Sequence, residues 1–525
     1  MAVLMERFRG LHHSWRSGME AMTTFLRLRF FGALFGAAAV AGSLFVAASA
    51  HAQAPPAGSN IPEQISRQQR FDELQQLEID NRLRADTDVP PEQRALIDFG
   101  GYETLQYLSV DDRQDNNHGL READLVLYGR VNLDAANEVF ARARLSFDDF
   151  NRGDVFEGLR QGWNSIEVER AYYRFDLSKY EAAYKGTQLP YNVTFEGGRD
   201  LVYWANGLVL GDVLDGGIFD LSWKGADLQI IAGVTAPQTV DIDTSRPAFA
   251  YNTERGFYGA MLSYNISAGG WGQHKPFVYA LVERDYNSHN FLQQGMIATK
   301  YDYNASYLGF GSTGSVGNNI VYGAEMAFEG GNTLSNSYEV QGLAVVPVPQ
   351  TRNDIAAFGA DYRIDYLLND PHNSRFSFET ILASGDPDRI NSTNTFGGNR
   401  PGTKDISFNG FGLLNTGLAF APEVSNLLAF RAGASTYPLS NMSAFRRMQI
   451  GADFFLFDKL QKNSAFDEGT TDNYYLGWEP DAYLNWQVAS DVTLALRYGI
   501  FFPSSTIIEH QSYRQFVYAG VTFAF

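Results

Sequence analysis

The last nine residues, Val517 to Phe525, alternate strictly between two faces, which narrows sharply what this chain can fold into. Counting by twos puts Val517, Ala519, Val521, Phe523 and Phe525 on one side. Tyr518, Gly520, Thr522 and Ala524 lie on the other. A period of two is that of a β-strand with unlike faces. Such a strand needs an apolar environment on one side only.

The pattern recurs along the chain. Leu125, Leu127, Gly129, Val131 and Leu133 alternate with Asp124, Tyr128, Arg130 and Asn132. Val139, Ala141, Ala143, Leu145 and Phe147 alternate with Arg142, Arg144, Ser146 and Asp148. Val492, Leu494, Leu496, Tyr498 and Ile500 repeat it late in the chain. Turn-forming joints such as Val316-Gly317-Asn318-Asn319 and Asn369-Asp370-Pro371 separate the runs. About 18 strands are expected over residues 95–525, the first near 96–108 and the last near 513–525. The longest joints fall near 201–214, 236–253, 287–300, 330–353 and 385–423, and 401–421 reads equally as a strand or a pore loop.

A terminal aromatic closing an amphipathic strand resembles the ending of bacterial outer-membrane β-barrel proteins. The other end of the sequence agrees with that compartment. Arg27 and Arg29 precede an apolar run, Phe30 to Ala48, followed by Ala50-His51-Ala52. A basic region, an apolar stretch and a small-residue site make a secretory signal peptide. Residues 1–52 are therefore expected to be removed, with Met22 a candidate start. Residues 53–94 read as a periplasmic linker, with a polar helical segment over Gln64 to Ala85. A soluble all-β protein would share the alternation but not both chain ends. The expected fold is an all-β, transmembrane antiparallel barrel of about 18 strands with a short N-terminal helical segment, in the bacterial outer membrane. A barrel of that size holds an aqueous channel rather than a filled core.

Composition narrows the function. The net charge of -19 argues against nucleic acid as a partner. Cysteine is absent, so a closed hydrogen-bonded barrel has to hold the chain. The 39 Phe and 28 Tyr suit a lipid face with interfacial girdles, and Trp478, Trp486, Tyr498 and Tyr518 are placed there. No metalloprotease, P-loop or nucleophile-elbow motif occurs. Neither an enzymatic activity, a cofactor nor a metal is expected, although Gly385-Asp386-Pro387-Asp388 is a weak candidate for a Ca²⁺ turn.

Arginine carries the site. Only 8 of the 41 basic residues are Lys. Arg is favoured where a planar fork holds carboxylates or phosphates. The alternation turns Arg130, Arg142, Arg144, Arg170 and Arg174 toward the lumen, and Arg199 on the next strand is expected to join them. Arg363, Arg447 and Arg497 are expected to face that wall. Two readings stay open. An Arg wall selects anions; alternatively these residues only neutralise luminal acids such as Glu167, Glu169, Asp176 and Glu196.

Three stretches carry a further resemblance: Phe195-Glu196-Gly197-Gly198-Arg199-Asp200-Leu201-Val202-Tyr203, Leu476-Gly477-Trp478-Glu479-Pro480-Asp481 and Gly499-Ile500-Phe501-Phe502-Pro503. They look like the alginate-export family of outer-membrane barrels. That resemblance implies an 18-stranded monomer with an Arg-lined pore passing an acidic polysaccharide, and carries over Arg199 alone by position. Asp200 stands where the family has Gln, which puts the substrate in doubt. The expected partners are outer-membrane lipid, an anionic glycan or other anionic solute, and periplasmic polysaccharide-synthesis proteins. The rival expectation is a general or small-anion-selective porin.

Overall fold

A computed structural model of the chain describes residues 96–525, apart from 155–159, 238–244, 246–253, 288–290, 295–296, 342–343, 390–397 and 509–510. The segments read as signal peptide and periplasmic linker, including the helix expected over 64–85, lie outside the described residues.

Among the described residues, eighteen antiparallel strands form one closed sheet. They are β1 (Leu96–Asp111), β2 (Asn117–Asn132), β3 (Asn137–Phe150), β4 (Glu167–Asp176), β5 (Tyr191–Tyr203), β6 (Gly211–Trp223), β7 (Ala226–Thr235), β8 (Arg255–Tyr264) and β9 (Gln273–Asp285). The second half comprises β10 (Tyr303–Val316), β11 (Ile320–Leu334), β12 (Arg352–Leu367), β13 (Arg375–Ala383), β14 (Leu427–Thr436), β15 (Met448–Lys459), β16 (Tyr475–Gln487), β17 (Val492–Pro503) and β18 (Arg514–Ala524). Each strand pairs with its neighbour in sequence. β18 closes on β1 from Tyr102↔Ala524 to Val110↔Phe516. Closure leaves no ladder edge unpaired, the condition for a sheet in lipid.

The two faces differ as the alternation requires. Leu127, Tyr173, Leu308, Phe328, Phe378, Phe430 and Phe454 lie exposed on the outside. Such a belt around a closed barrel is a lipid-facing surface. Tyr518 is a correction to the expected girdle. It is buried inside the barrel, and its hydroxyl donates to Gln106 at 3.1 Å. The strict period of two fixes this, because Tyr518 is out of phase with Val517 and Phe523.

The two ends also differ. At the end holding Leu96 and the chain's last residue, connections are short: 133–136, 224–225, 317–319 and 488–491. Lys224 and Gly225 both have positive φ, at 49° and 88°. This is the mirror-image turn that matches strand twist in a two-residue hairpin. One helix, α1 (Leu177–Lys185), fills the connection between β4 and β5, capped by Asp176 accepting from the Lys179 N–H at 3.1 Å. The alternation of the flanking strands gave no sign of it. At the opposite end lie the long connections 236–254, 286–302, 335–351 and 384–426.

The last of these decides what the lumen is. The stretch that read equally as strand or pore loop is a loop, and it runs inside the barrel. Phe408, Phe411 and Phe420 are fully buried in one apolar cluster with the wall residues Phe257, Phe455, Phe457 and Phe501. Phe420 stacks on Phe501 with ring centres 3.9 Å apart and planes 2° off parallel. The long-loop half of the lumen therefore holds a packed core. The short-turn half holds open space.

Candidate functional site: the luminal cavity and its loop

Three glutamates on the wall grip the inserted backbone. Glu479 of β16 accepts the backbone N–H groups of Leu418, Ala419 and Phe420 at 2.6, 2.7 and 2.8 Å. Glu329 of β11 accepts the Asn409 N–H at 2.9 Å. Glu325, four residues earlier on the same face of β11, accepts the Asn206 N–H at 2.8 Å from the shorter inserted segment 204–210. The two inserted segments also pair with each other, Leu210 against Phe411, and Asp405 pairs with Ile355 of β12. Irregular backbone at membrane depth is stable only where protein satisfies its polar groups. Here carboxylates do so, and charge-assisted bonds are the stronger kind.

Below the loop, on the short-turn side, lies a cavity of about 900 Å³. Its roof is the loop itself, Leu413 to Leu418 and Ala421. Its wall runs over β9 to β18, from Gln273 to Phe516. Four arginines line it, Arg363, Arg375, Arg431 and Arg497, against five carboxylates, Asp361, Asp365, Glu379, Asp453 and Asp481. The ladder sets them in rows. Arg363 stands beside Glu379, and Glu379 beside Arg431. Asp453 stands beside Asp481, and Tyr483 beside Arg497. Arg497 also lies over the Tyr518 ring at 5.5 Å. Gly433 and Gly499 leave room for these acids, since a Cβ at either would come within 2.2 Å of Asp453 or 2.5 Å of Asp481.

The sequence-predicted arginines divide into three groups. Arg363 and Arg497 line the cavity. Arg130, Arg142, Arg144, Arg170 and Arg174 lie on the inner face of β2 to β4, away from it, and acids stand against them. Arg142 meets Glu169 at 2.6 Å, Arg144 meets Glu167 at 2.7 Å, and Arg170 meets Asp200 at 3.3 Å. Arg130 lies 4.0 Å from Glu138 and over the Phe140 ring, while Arg174 stands opposite Glu196 in the ladder. A bulge brings this about. Arg142 pairs with Arg170 but Ala143 with Val168, so both Glu169 and Arg170 turn inward and are buried.

Arg199 is a correction. It shares the outer face of β5 with Phe195, which is 46% exposed. There it forms a fork-to-carboxylate pair with Asp215 of β6 at 2.6 and 2.8 Å, near the long-loop end. The glycines at 197 and 198 carry no side chain to reveal the face, so the sequence left the register open. Arg447 lies exposed at the short-turn end, donating to Gln487 at 2.8 Å.

Sequence reading missed Arg375 and Arg431, and it missed the role of Glu479. Arg431 stands alone among small and apolar residues in Leu427–Thr436, a signal available but unused. The Ca²⁺ candidate is a folded turn: Asp386 accepts the N–H groups of Asp388 at 2.8 Å and Ile406 at 3.1 Å. Burial, with the nearby Asp405 charge, raises the Asp386 pKa. Among the described residues no group of three His, Cys, Asp or Glu side chains is placed to hold a metal.

No family model matches the chain, and no curated protein matches it. Among solved structures, a variant of OccD1 (OprD) aligns at a TM-score of 0.48 and 10% identity, covering 84% of this chain and 99% of that one. Pseudomonas aeruginosa OccK1 (OpdK) aligns at 0.48 and 11%, covering 82% and 98%. Pseudomonas aeruginosa OpdL aligns at 0.46 and 11%, also covering 82% and 98%. At that distance these likenesses carry no argument, and the fold stands on the closed ladder itself.

Proposed function

We propose that this chain is an outer-membrane channel for small polar solutes, a porin, rather than an exporter of an anionic polymer. The closed barrel with its apolar belt belongs in the bacterial outer membrane, the setting of bacterial barrels of this kind. Short turns then face the periplasm and long loops the outside. The observation that carries the reading is the inserted loop, fixed by Glu479 and Glu329, above a cavity of about 900 Å³. That volume suits a small molecule.

The charge pattern argues in the same direction. A polyanion needs a run of basic groups open to the lumen. The arginines of β2 to β4 instead stand against Glu and Asp, and the cavity itself carries more acids than arginines. Swelling of proteoliposomes tests the proposal. Monosaccharides and amino acids are expected to enter and a long polyuronate to stay out. Entry of the polyuronate would restore the exporter reading.

A further inference from the structure

We infer that the outer face centred on Glu103 is an interface between two copies of this chain, in which the two Glu103 carboxyl groups bond each other across a two-fold axis. The inference rests on the placement of the barrel in a membrane and is independent of what the lumen passes.

Glu103 points outward from the middle of a strand. It is the eighth of the sixteen residues of β1. Its ladder neighbours are Leu125 of β2 and Phe523 of β18, both on the outer face. Along β1 the outward residues before it are Ile97 and Phe99, 69% and 82% exposed, and the next one after it is Leu105. The carboxyl therefore lies inside the apolar belt, where a glutamate side chain is too short to reach water at either rim. It makes no hydrogen bond and no ion pair among the described residues. Other outward charges answer one another: Arg121 meets Asp149 at 3.1 Å, and Arg199 meets Asp215 at 2.6 Å. An ionisable group at membrane depth calls for a partner, and that of Glu103 has to come from outside the chain.

The surface around it is low. Ala123, Gly129, Ala141, Ala143 and Ala519 face outward on β2, β3 and β18. On the far side of the barrel Phe310, Phe328, Phe378, Phe430 and Phe454 stand out. Small side chains let two backbones approach closely, which association in lipid depends on. Five strands, β17 to β3, spaced about 4.8 Å apart across a belt about 25 Å tall, offer about 600 Å² on each copy, or about 1,200 Å² in all, the lower end of specific interfaces.

The carboxyl itself selects the partner. A carboxyl that keeps its proton both donates and accepts, so a second one facing it satisfies both groups at once. A two-fold axis sets the same patch on both sides of an interface. Any other rotation would set Glu103 against a different patch, and the outward arginines Arg121 and Arg199 are already engaged.

The test is cross-linking in native outer membranes, together with the mass of the protein in mild detergent. The chain has no cysteine, so a single one reports cleanly. With Glu103 intact, L105C on the same face is expected to be joined to its copy by a short bismaleimide, and F378C on the far side is not. Glu103→Gln keeps a donor and an acceptor and should remain dimeric. Glu103→Leu keeps neither, and its dimer-to-monomer ratio should fall about tenfold, the factor for one lost contact of ordinary strength. Leucine suits a lipid face, and the gel shift of the folded barrel checks that this variant still folds. A native protein that is monomeric or trimeric, or a dimer that Glu103→Leu leaves intact, would overturn the inference. A monomer that retains bound lipid and loses it in Glu103→Leu would overturn it too, and would give the face to lipid. A chain that does not insert into vesicles would overturn the membrane placement itself.

Discussion

The Glu479 carboxylate, fully buried on β16, accepts the backbone N–H of Leu418 at 2.6 Å. With Ala419 and Phe420 it makes three such bonds, two to one oxygen and one to the other. A glutamine can keep the bonds to its carbonyl oxygen but not the third, because its amide nitrogen donates. Glu479→Gln is therefore expected to destabilise the loop by about 1–3 kcal/mol, the cost of one unsatisfied buried donor. The measurement is limited proteolysis at 411–420 together with open-channel current noise. Both should rise.

The aromatic stack of Phe420 on Phe501 holds the same loop by packing. Removing a buried phenyl ring and leaving its cavity costs about 3–5 kcal/mol. Phe420→Ala should lower the denaturant midpoint in detergent accordingly, read by the gel shift between folded and unfolded barrel. An unchanged midpoint would mean that the loop contributes little to the core.

The two sets of arginines should behave differently. Arg142 is buried against Glu169 at 2.6 Å, with Arg144 on the same acid at 3.4 Å, so Arg142→Gln removes the nearer of two buried partners, at a cost of about 1–3 kcal/mol. It should alter stability and leave ion selectivity nearly unchanged. Arg363→Gln should do the reverse, because the side chain is open to the cavity: reversal potential shifts toward cations with little loss of stability.

Acid should loosen the long-loop rim in a defined window. Asp112, in the turn between β1 and β2, is buried, which opposes ionisation. Bonds from the His118 ring at 3.2 Å and from the Asn116 and Gln114 N–H groups at 2.8 Å outweigh that and hold its pKa at about 2, below the ordinary 3.8. A lowered folded pKa stabilises above the unfolded value, and the contribution is lost as pH falls through the folded one. Thermal stability should therefore decline from about pH 4 toward pH 2. Asp112→Asn should be less stable at neutral pH and show less decline in that window.

The barrel was legible because the chemistry of a two-faced strand is written residue by residue. From Leu125 to Leu133 each position declares its side, and the ladder only adds partners. Legibility ended where that signal is absent. Gly197 and Gly198 show no face, and Arg199 lies on the outer one. The bulge at Glu169 adds a residue without changing composition. The loop residues Phe408, Phe411 and Phe420 are apolar because they fill the barrel from inside, which local periodicity cannot distinguish from a strand facing lipid. Arg363 and Arg497 were found by alternation alone. That Arg375 shares Asp365 with Arg363 depends on partners from two strands, visible only in the closed sheet.

Single-channel recording in a salt gradient is the most direct test of a small-solute channel with a mixed-charge cavity. The account predicts discrete conductance steps and a reversal potential close to zero, since four arginines face five carboxylates. A silent barrel would contradict the channel, and a strongly anion-selective current would contradict the assignment of the β2 to β4 arginines to their acids.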